Sequence, residues 1–335
     1  MLRMPRTPLA GLLLASAIAS SALADDSIDR ALADLASEDA SRRDAALEAI
    51  SDAGGAARER AEAALRNTED PEVRARLEKV LPWLRIEATT AAFLQACGDQ
   101  WFAMKEDDAI TGVEHHTAAL AGEGRDRRWT FVEEAWMRGD DGKTLYARSR
   151  TLMRHNAGLT PLEADVKLPG SHGFKRWFWR FEAGGDVKHY SLEYDSATVR
   201  TYWSRSKPDR KLTGPVLPSW NIERALERST IAGNGPFEIR IFGRSHGVEE
   251  PLIRFDPGPL EEIQIEGHRM KARTWTIRDE TDESAGSMLV SPEHGLIRAA
   301  LRGSLVVEVS DEQTCRATGL VVGPELGPDL PPPEK

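Results

Sequence analysis

The sequence predicts an α+β chain: an N-terminal cap of helical repeats, then a large curved antiparallel sheet with one internal helix. Three observations carry this. Residues 27–96 are rich in Ala, Leu, Glu and Arg, with apolar positions at helical spacing. From about residue 98 the apolar period changes to two, in many short runs separated by turn residues. One helical stretch, Trp220 to Arg228, interrupts those runs. The pattern has no βα alternation, so it argues for an open or half-closed barrel over a doubly wound sheet.

The elements follow in order. Residues 1–24 read as a secretory signal peptide. Arg3 and Arg6 form a positive start, Leu9 to Ala19 an apolar stretch, and Ala22-Leu23-Ala24 a small-x-small cleavage site. This predicts an exported chain, periplasmic or extracellular. The apolar run is too short to span a bilayer and no second long run follows, so no transmembrane segment is expected in the mature chain. A helical domain over 25–97 begins with a helix capped by Ser27 and carrying Ile28, Leu32 and Leu35 on one face. A second helix carries Ala46, Leu47 and Ile50 and stops at Gly54-Gly55. A third runs from about Ala56 to Arg66. Asp70-Pro71 then starts a fourth, with Val73, Leu77, Val80, Leu81 and Leu84 as its stripe and a kink expected at Pro82.

A β-domain over 98–320 follows. Its predicted strands include Trp101 to Met104, Ile110 to Thr117, Trp129 to Met137, Leu145 to Met153, Phe174 to Phe181, Val187 to Tyr194 and Val199 to Trp203. After Gly233-Asn-Gly-Pro236 they resume with Phe237 to Phe242, Leu252 to Phe255, Ile263 to Glu266, Met270 to Arg278, Ser287 to Val290, Leu296 to Leu301 and Leu305 to Val309. Residues 321–335 are Pro-rich and acidic and read as a disordered tail.

Two resemblances attach to this order. Glu38-Asp39 recurs as Glu69-Asp70, Arg43 as Arg74 and Ile50 as Leu81, each at the same spacing. The acidic turn, the Arg four residues on and the Ala/Leu face resemble HEAT-type repeats, which implies a surface for a protein partner over 27–96. Trp101-Phe-Ala-Met-Lys with Ile110-Thr-Gly112-Val resembles the opening hairpin of exported bacterial proteins of unknown function. Pro218-Ser-Trp-Asn-Ile-Glu-Arg-Ala225-Leu and Glu261-Glu-Ile-Gln-Ile-Glu-Gly267 resemble their middle helix and closing strands. The plan is similar to the lipoprotein-carrier half-barrels of the bacterial periplasm, in which a curved sheet under a helical lid holds acyl chains. That resemblance implies an apolar or lipid-like ligand.

The chemistry-bearing residues point to binding more than catalysis. The net charge of −10 argues against nucleic acid as the main partner, since phosphate binding needs clustered positive charge. Gly243-Arg-Ser245-His-Gly247 matches G-x-S-x-G, but no helix is predicted after it, so a serine hydrolase using Ser245 is the weakest reading. The histidines show no zinc spacing, and neither metal nor cofactor is expected. His115 and His116 are adjacent in a strand and must face opposite ways. Trp177, Trp179 and Phe181 share one strand face. With Tyr190, Tyr194 and Trp203 on the following strands they make the candidate ligand surface, the alternative being an ordinary filled core. Cys97 and Cys315 flank the β-domain. An oxidising compartment makes them a candidate disulfide, with two buried free thiols as the alternative. The function expected is an exported, non-catalytic binding protein of the cell envelope, the alternative a structural or assembly protein without a ligand.

Overall fold

The computed structural model describes residues 26–322, apart from 108, 123–125, 156–160, 170–172, 183–185, 196–199, 206–209, 212–215, 219–220, 243–251, 266–267, 280–283 and 302–304. The expected signal peptide, the Ser245 motif, Trp220 and the expected tail from 323 lie outside the described residues. Two compact units part between Thr89 and Thr90.

The first unit is helical. Its elements are α1 (26–34), α2 (Ala40–Ala53), a single 3₁₀ turn (Gly54–Ala57), α3 (Arg58–Asn67) and most of α4 (Pro71–Cys97), which continues through Pro82 as one helix. The internal echo has a physical basis. Asp39 Oδ1 accepts from Ser41 N and Asp70 Oδ1 from Glu72 N, each at 2.8 Å, so both acids cap a helix start. Arg43 Nη1 donates to the Ser37 and Glu38 carbonyls, and Arg74 Nη2 to that of Thr68. Ile50 and Leu81 are both buried, in a core shared with Leu35, Ala57, Leu77 and Leu84. Gly55 lets that core close: a Cβ there would stand 2.7 Å from the Ala88 Cα.

The second unit is a 16-stranded sheet. Its strands are β1 (Asp99–Glu106), β2 (Ala109–Ala121), β3 (Arg128–Arg138), β4 (Thr144–Arg154), β5 (Pro161–Pro169), β6 (Gly173–Phe181), β7 (Asp186–Asp195), β8 (Arg200–Arg205), β9 (Arg210–Lys211), β10 (Val216–Pro218), β11 (Phe237–Phe242), β12 (Leu252–Ile265), β13 (His268–Arg278), β14 (Ser284–Ser291), β15 (Gly295–Leu301) and β16 (Val306–Ser310). Helix α5 (Ile222–Ala232) comes between β10 and β11, and α6 (Glu312–Ala317) follows β16. The order is β10 to β16, then β1 to β8, with β9 paired to β7. Neighbours are antiparallel except β10 and β11. The chain is therefore α+β, as the change of period indicates.

One apolar cluster shows how the sheet curves. Phe102 of β1, Trp129 and Phe131 of β3, Phe255 of β12, Trp275 of β13 and Val290 of β14 join a single core with Leu226 of α5. Strands far apart in the order reach one helix, so the sheet wraps α5 on its inner face. Trp275 Nε1 donates to Thr230 Oγ1 at 2.8 Å and ties the helix to the opposite wall. The helix ends at Gly233, where the backbone turns left-handed at φ 69°.

Three differences from the sequence expectation have local causes. The two runs after Leu252 form one strand, β12, because Pro257-Gly-Pro259 sits at a register shift that bends the strand without ending it. β5 is absent from the sequence expectation although Leu162, Ala164, Val166 and Leu168 alternate with Glu163, Asp165 and Lys167, because the prolines at both ends read as strand breakers. The disulfide does not form. Cys97 and Cys315 are free and buried on opposite sides of β1. Cys97 joins the inner core with Phe102; Cys315 joins the outer one with Trp101, its thiol 3.6 Å from the Phe102 carbonyl oxygen. Burial pushes both thiols up, Cys97 strongly. We expect intact-mass measurement to be unchanged by reduction, and a maleimide to add twice to the unfolded chain and slowly to the folded one. A mass lower by two hydrogens before reduction would reinstate the bridge.

Candidate functional site

Register places two polar rows back to back on β1 to β4. On the inner face Gln100 pairs with His116, His116 with Glu133 and Glu133 with Ser149. On the outer face Trp101 pairs with His115, His115 with Glu134 and Glu134 with Arg148. Directly opposed residues share a face and successive residues alternate, so two histidines one peptide apart serve two different sites.

The inner row lies against α5, which turns an unusual face to it. Glu223, Arg224, Glu227 and Arg228 are all buried. Arg224 and Glu227 form an ion pair at 2.9 Å with no exposed side-chain surface on either member. Arg224 Nη1 also donates to the Cys97 carbonyl and to Gln100 Oε1, each at 3.3 Å. The Glu227 carboxylate accepts from the Leu296 backbone N–H at 2.9 Å. Gly295 makes room, because a Cβ there would lie 2.7 Å from Gln100 Nε2 and 2.9 Å from Glu227 Oε1, and its φ of 69° suits glycine.

Beside this pair stand Glu133, Glu223 and His116. A ring nitrogen of His116 and one carboxylate oxygen from each glutamate lie within 4.8 Å of one another. Burial raises the Glu133 carboxyl to about 7, against hydrogen bonds from Glu223 and Ser149 and the Arg224 charge that lower it. Burial also holds Glu223 well above the usual carboxylate range, with the Glu133 charge adding to it. Ser149 Oγ donates to Glu133 Oε2 at 3.1 Å, and His116 Nε2 lies 3.2 Å from Glu114 Oε2. His116 Nδ1 and Glu223 Oε1 are buried without a hydrogen-bond partner. A histidine and two carboxylates in this arrangement can hold either shared protons or a metal ion.

The outer row forms a cleft of about 360 Å³, lined by Asp99, Trp101, His115, Glu134, Trp136, Glu312, Arg316, Val321 and Val322. Trp101 stacks on His115 with ring centroids 4.2 Å apart and on Trp136 at 6.0 Å. Arg316 of α6 lies 5.3 Å over the Trp101 ring. Trp136 Nε1 donates to the Val322 carbonyl at 3.1 Å, which fixes the segment after α6 across the cleft. His115 Nε2 is 2.8 Å from Asp99 Oδ1, and its Nδ1 is 3.6 Å from Glu134 Oε2. Burial disfavours the charged imidazole, but the bonds to Glu134 and Asp99 prevail and raise His115. The His115 bond in turn lowers Glu134, which also accepts from the Tyr146 hydroxyl.

The six expected ligand residues do not form one surface. Trp177 pairs with Ser191, Trp179 with His189 and Phe181 with Val187, whereas Tyr190 pairs with Phe178. Tyr190 is therefore on the face opposite Trp177. In register Tyr194 pairs with Phe174 and Trp203 with Leu192; their side chains lie outside the described residues. Trp179 is buried with Ala164, Val166 and Val187 in a cluster that Trp177 and Phe181 also touch. Parity along one strand was readable; the register that matches it to the next strand was not. The signal that was missed is a second polar doublet, Glu133-Glu134, which the β2–β3 register sets opposite His115-His116.

Among solved structures the chain is similar to a β-barrel-like protein of domain of unknown function DUF1849 from Brucella abortus, at 9% identity and a TM-score of 0.37, over 63% of this chain and 94% of that one. No protein-family model matches the sequence, and no curated protein matches it significantly.

Two outcomes test this geometry. Replacing Glu227 with Gln leaves Arg224 buried without its counter-charge, and we expect a loss of about 3–5 kcal/mol by urea denaturation; a loss below about 1 kcal/mol would show the pair to be dispensable. His115 has a raised value, so its contribution to stability is complete below its ordinary 6.5 and fades as pH rises through the raised value. Glu134 is lowered, so its contribution is complete above its ordinary 4.5 and fades as pH falls. The His115→Gln protein should therefore lose less stability than the parent as pH rises above 6.5, read by thermal melts; parallel curves would contradict this.

Proposed function

We propose that this is an exported, non-catalytic binding protein of the cell envelope, and that the outer cleft is where its β-unit takes a ligand. The observation that carries the reading is that cleft itself: about 360 Å³ at the surface, with Asp99 and Glu134 as acceptors beside the Trp101 and Trp136 rings and Glu312 paired with Arg316 at 2.7 Å. Its volume suits a small organic molecule, and the mix of aromatic surface with a few placed polar groups is that of small-molecule sites. Carboxylates beside indole rings favour a molecule that carries hydrogen-bond donors, an amine or a polyol. Export is supported by the composition of residues 1–24, and the helical unit is the surface offered to a protein partner.

An acyl ligand on the inner face has less support. Leu226 fills that face together with Phe102, Phe131 and Trp275, and Trp179 is 3% exposed. The reading also has no need of a catalytic residue, because the inner-row groups with shifted proton affinity, Glu223 buried and Glu133 partly buried, do not line the cleft.

The test uses the full chain, exported and purified under mild conditions. Native mass spectrometry should show a small adduct, or intrinsic tryptophan fluorescence should respond to spermidine or to glucose, the two donor classes. Asp99 is 74% exposed, so Asp99→Asn should fold normally and weaken that response about tenfold, the effect of one charge-assisted hydrogen bond. A protein free of adducts that answers neither probe would reject the cleft as a ligand site and leave the structural-protein reading.

A further inference from the structure

We propose that His116, Glu133 and Glu223 form a binding site for one divalent transition-metal ion on the inner face of the sheet. The site is distinct from the outer cleft and does not depend on it.

Three observations lead there. First, the donors converge from three elements: β2 supplies His116, β3 Glu133 and α5 Glu223, with the three ligand atoms within 4.8 Å of one another. Metal–ligand bonds of about 2.0–2.2 Å need these atoms somewhat closer, a contraction that side-chain rotation supplies. Second, the free valences point to a ligand. His116 is 6% exposed, and its Nδ1 has no partner while its Nε2 is engaged by Glu114. A histidine whose second nitrogen is held by a carboxylate is the usual setting of a metal-bound imidazole, because the bond fixes the tautomer and leaves the other lone pair for the ion. Glu223 Oε1 is likewise buried and without a partner, whereas the Ser149 hydroxyl orients the Glu133 carboxylate from behind. A buried polar atom left unpaired is costly unless something binds it.

Third, the charges balance. Glu133, Glu223 and Glu227 bring three negative charges into a region where Arg224 interacts with all of them and supplies one positive charge. A divalent cation brings the sum over these four groups to zero with every carboxylate ionised, and the neighbouring Glu114 and buried Arg228, of opposite sign, leave that sum unchanged. One imidazole nitrogen with two carboxylate oxygens selects zinc- or manganese-class ions over calcium and magnesium, which prefer all-oxygen shells. Glu114 acts through His116 and is a positioning residue.

The experiment uses the full chain, stripped with a chelator, dialysed and titrated with Zn²⁺ alone, then with Mn²⁺ alone, by calorimetry with elemental analysis of the dialysed product. One ion per chain should be retained, and the melting temperature should rise with it. Glu223→Gln and His116→Gln should each weaken binding at least tenfold, and Glu114→Gln about tenfold or more. His294→Gln, at an exposed turn position, should leave binding unchanged. Co²⁺ substitution supplies a readout of nitrogen ligation by its visible absorption, which His116→Gln should remove. If the inner substitutions prevent folding, stoichiometry and melting of the unaltered chain with each ion still decide the matter. Neither ion retained and no shift in melting would overturn the proposal, and so would binding that survives both Glu223→Gln and His116→Gln. Either result would leave a proton-sharing carboxyl pair in its place.

Discussion

The β-unit is organised around a charge pair that has no contact with water. Arg224 and Glu227 sit on successive turns of α5, and each uses its spare capacity on a different wall. Arg224 reaches the chain entering β1 through the Cys97 carbonyl and Gln100, while Glu227 holds the backbone at the start of β15. Burying two charges is expensive and is recovered only where geometry and further hydrogen bonds are good. Here two of those bonds go to fixed backbone groups and one to the Gln100 side chain, while Arg224 Nε and Nη2 stay buried without a hydrogen-bond partner, so the pair defines the depth and rotation of the helix at a cost. The apolar contacts of Leu226 could be made by several rotations; the salt bridge and its backbone partners select one.

From that choice follows the position of Glu223. It lies one residue from Arg224 and is brought to the His116–Glu133 row by the same helix setting. The inner row would be an unstable arrangement of carboxylates on an open sheet, but enclosed by α5 it becomes a place where proton or ion occupancy matters. The outer row shares the strands and not the environment. Its carboxylates remain partly hydrated, and His115 is held between two of them.

Much of the architecture was legible in the sequence because it depends on local rules. Asp39 and Asp70 announce helix starts, Asp70-Pro71 most clearly, and the switch to period two marks the sheet. The opposite facing of His115 and His116 follows from strand geometry alone. What could not be read depends on distant pairing. Glu133 and Glu223 belong to different elements with more than half the sheet's first arm between them in sequence. The run Glu223-Arg224 with Glu227-Arg228 reads as a solvated helix face, yet the curvature of the sheet buries it. Cys97 and Cys315 flank the domain in sequence, but β1 runs between their two cores. The aromatic set joining Trp177 to Tyr190 failed for the same reason, since the β6–β7 register decides which side chains meet.

The back-to-back rows also bear on how the sheet reaches its correct alignment. If β2 paired one residue out of step with β1 and β3, every side chain would exchange faces. Val113 would then leave the outer cluster, His115 would be forced under α5, and His116 would abandon Glu133 and Glu114. A strand with one polar face tolerates such a slip poorly; this strand penalises it twice, once in each core. The identical doublets keep one His–Glu pair through such a slip, so the correct alignment is enforced by their unlike neighbours, Val113 on the outer face and Glu114 on the inner one.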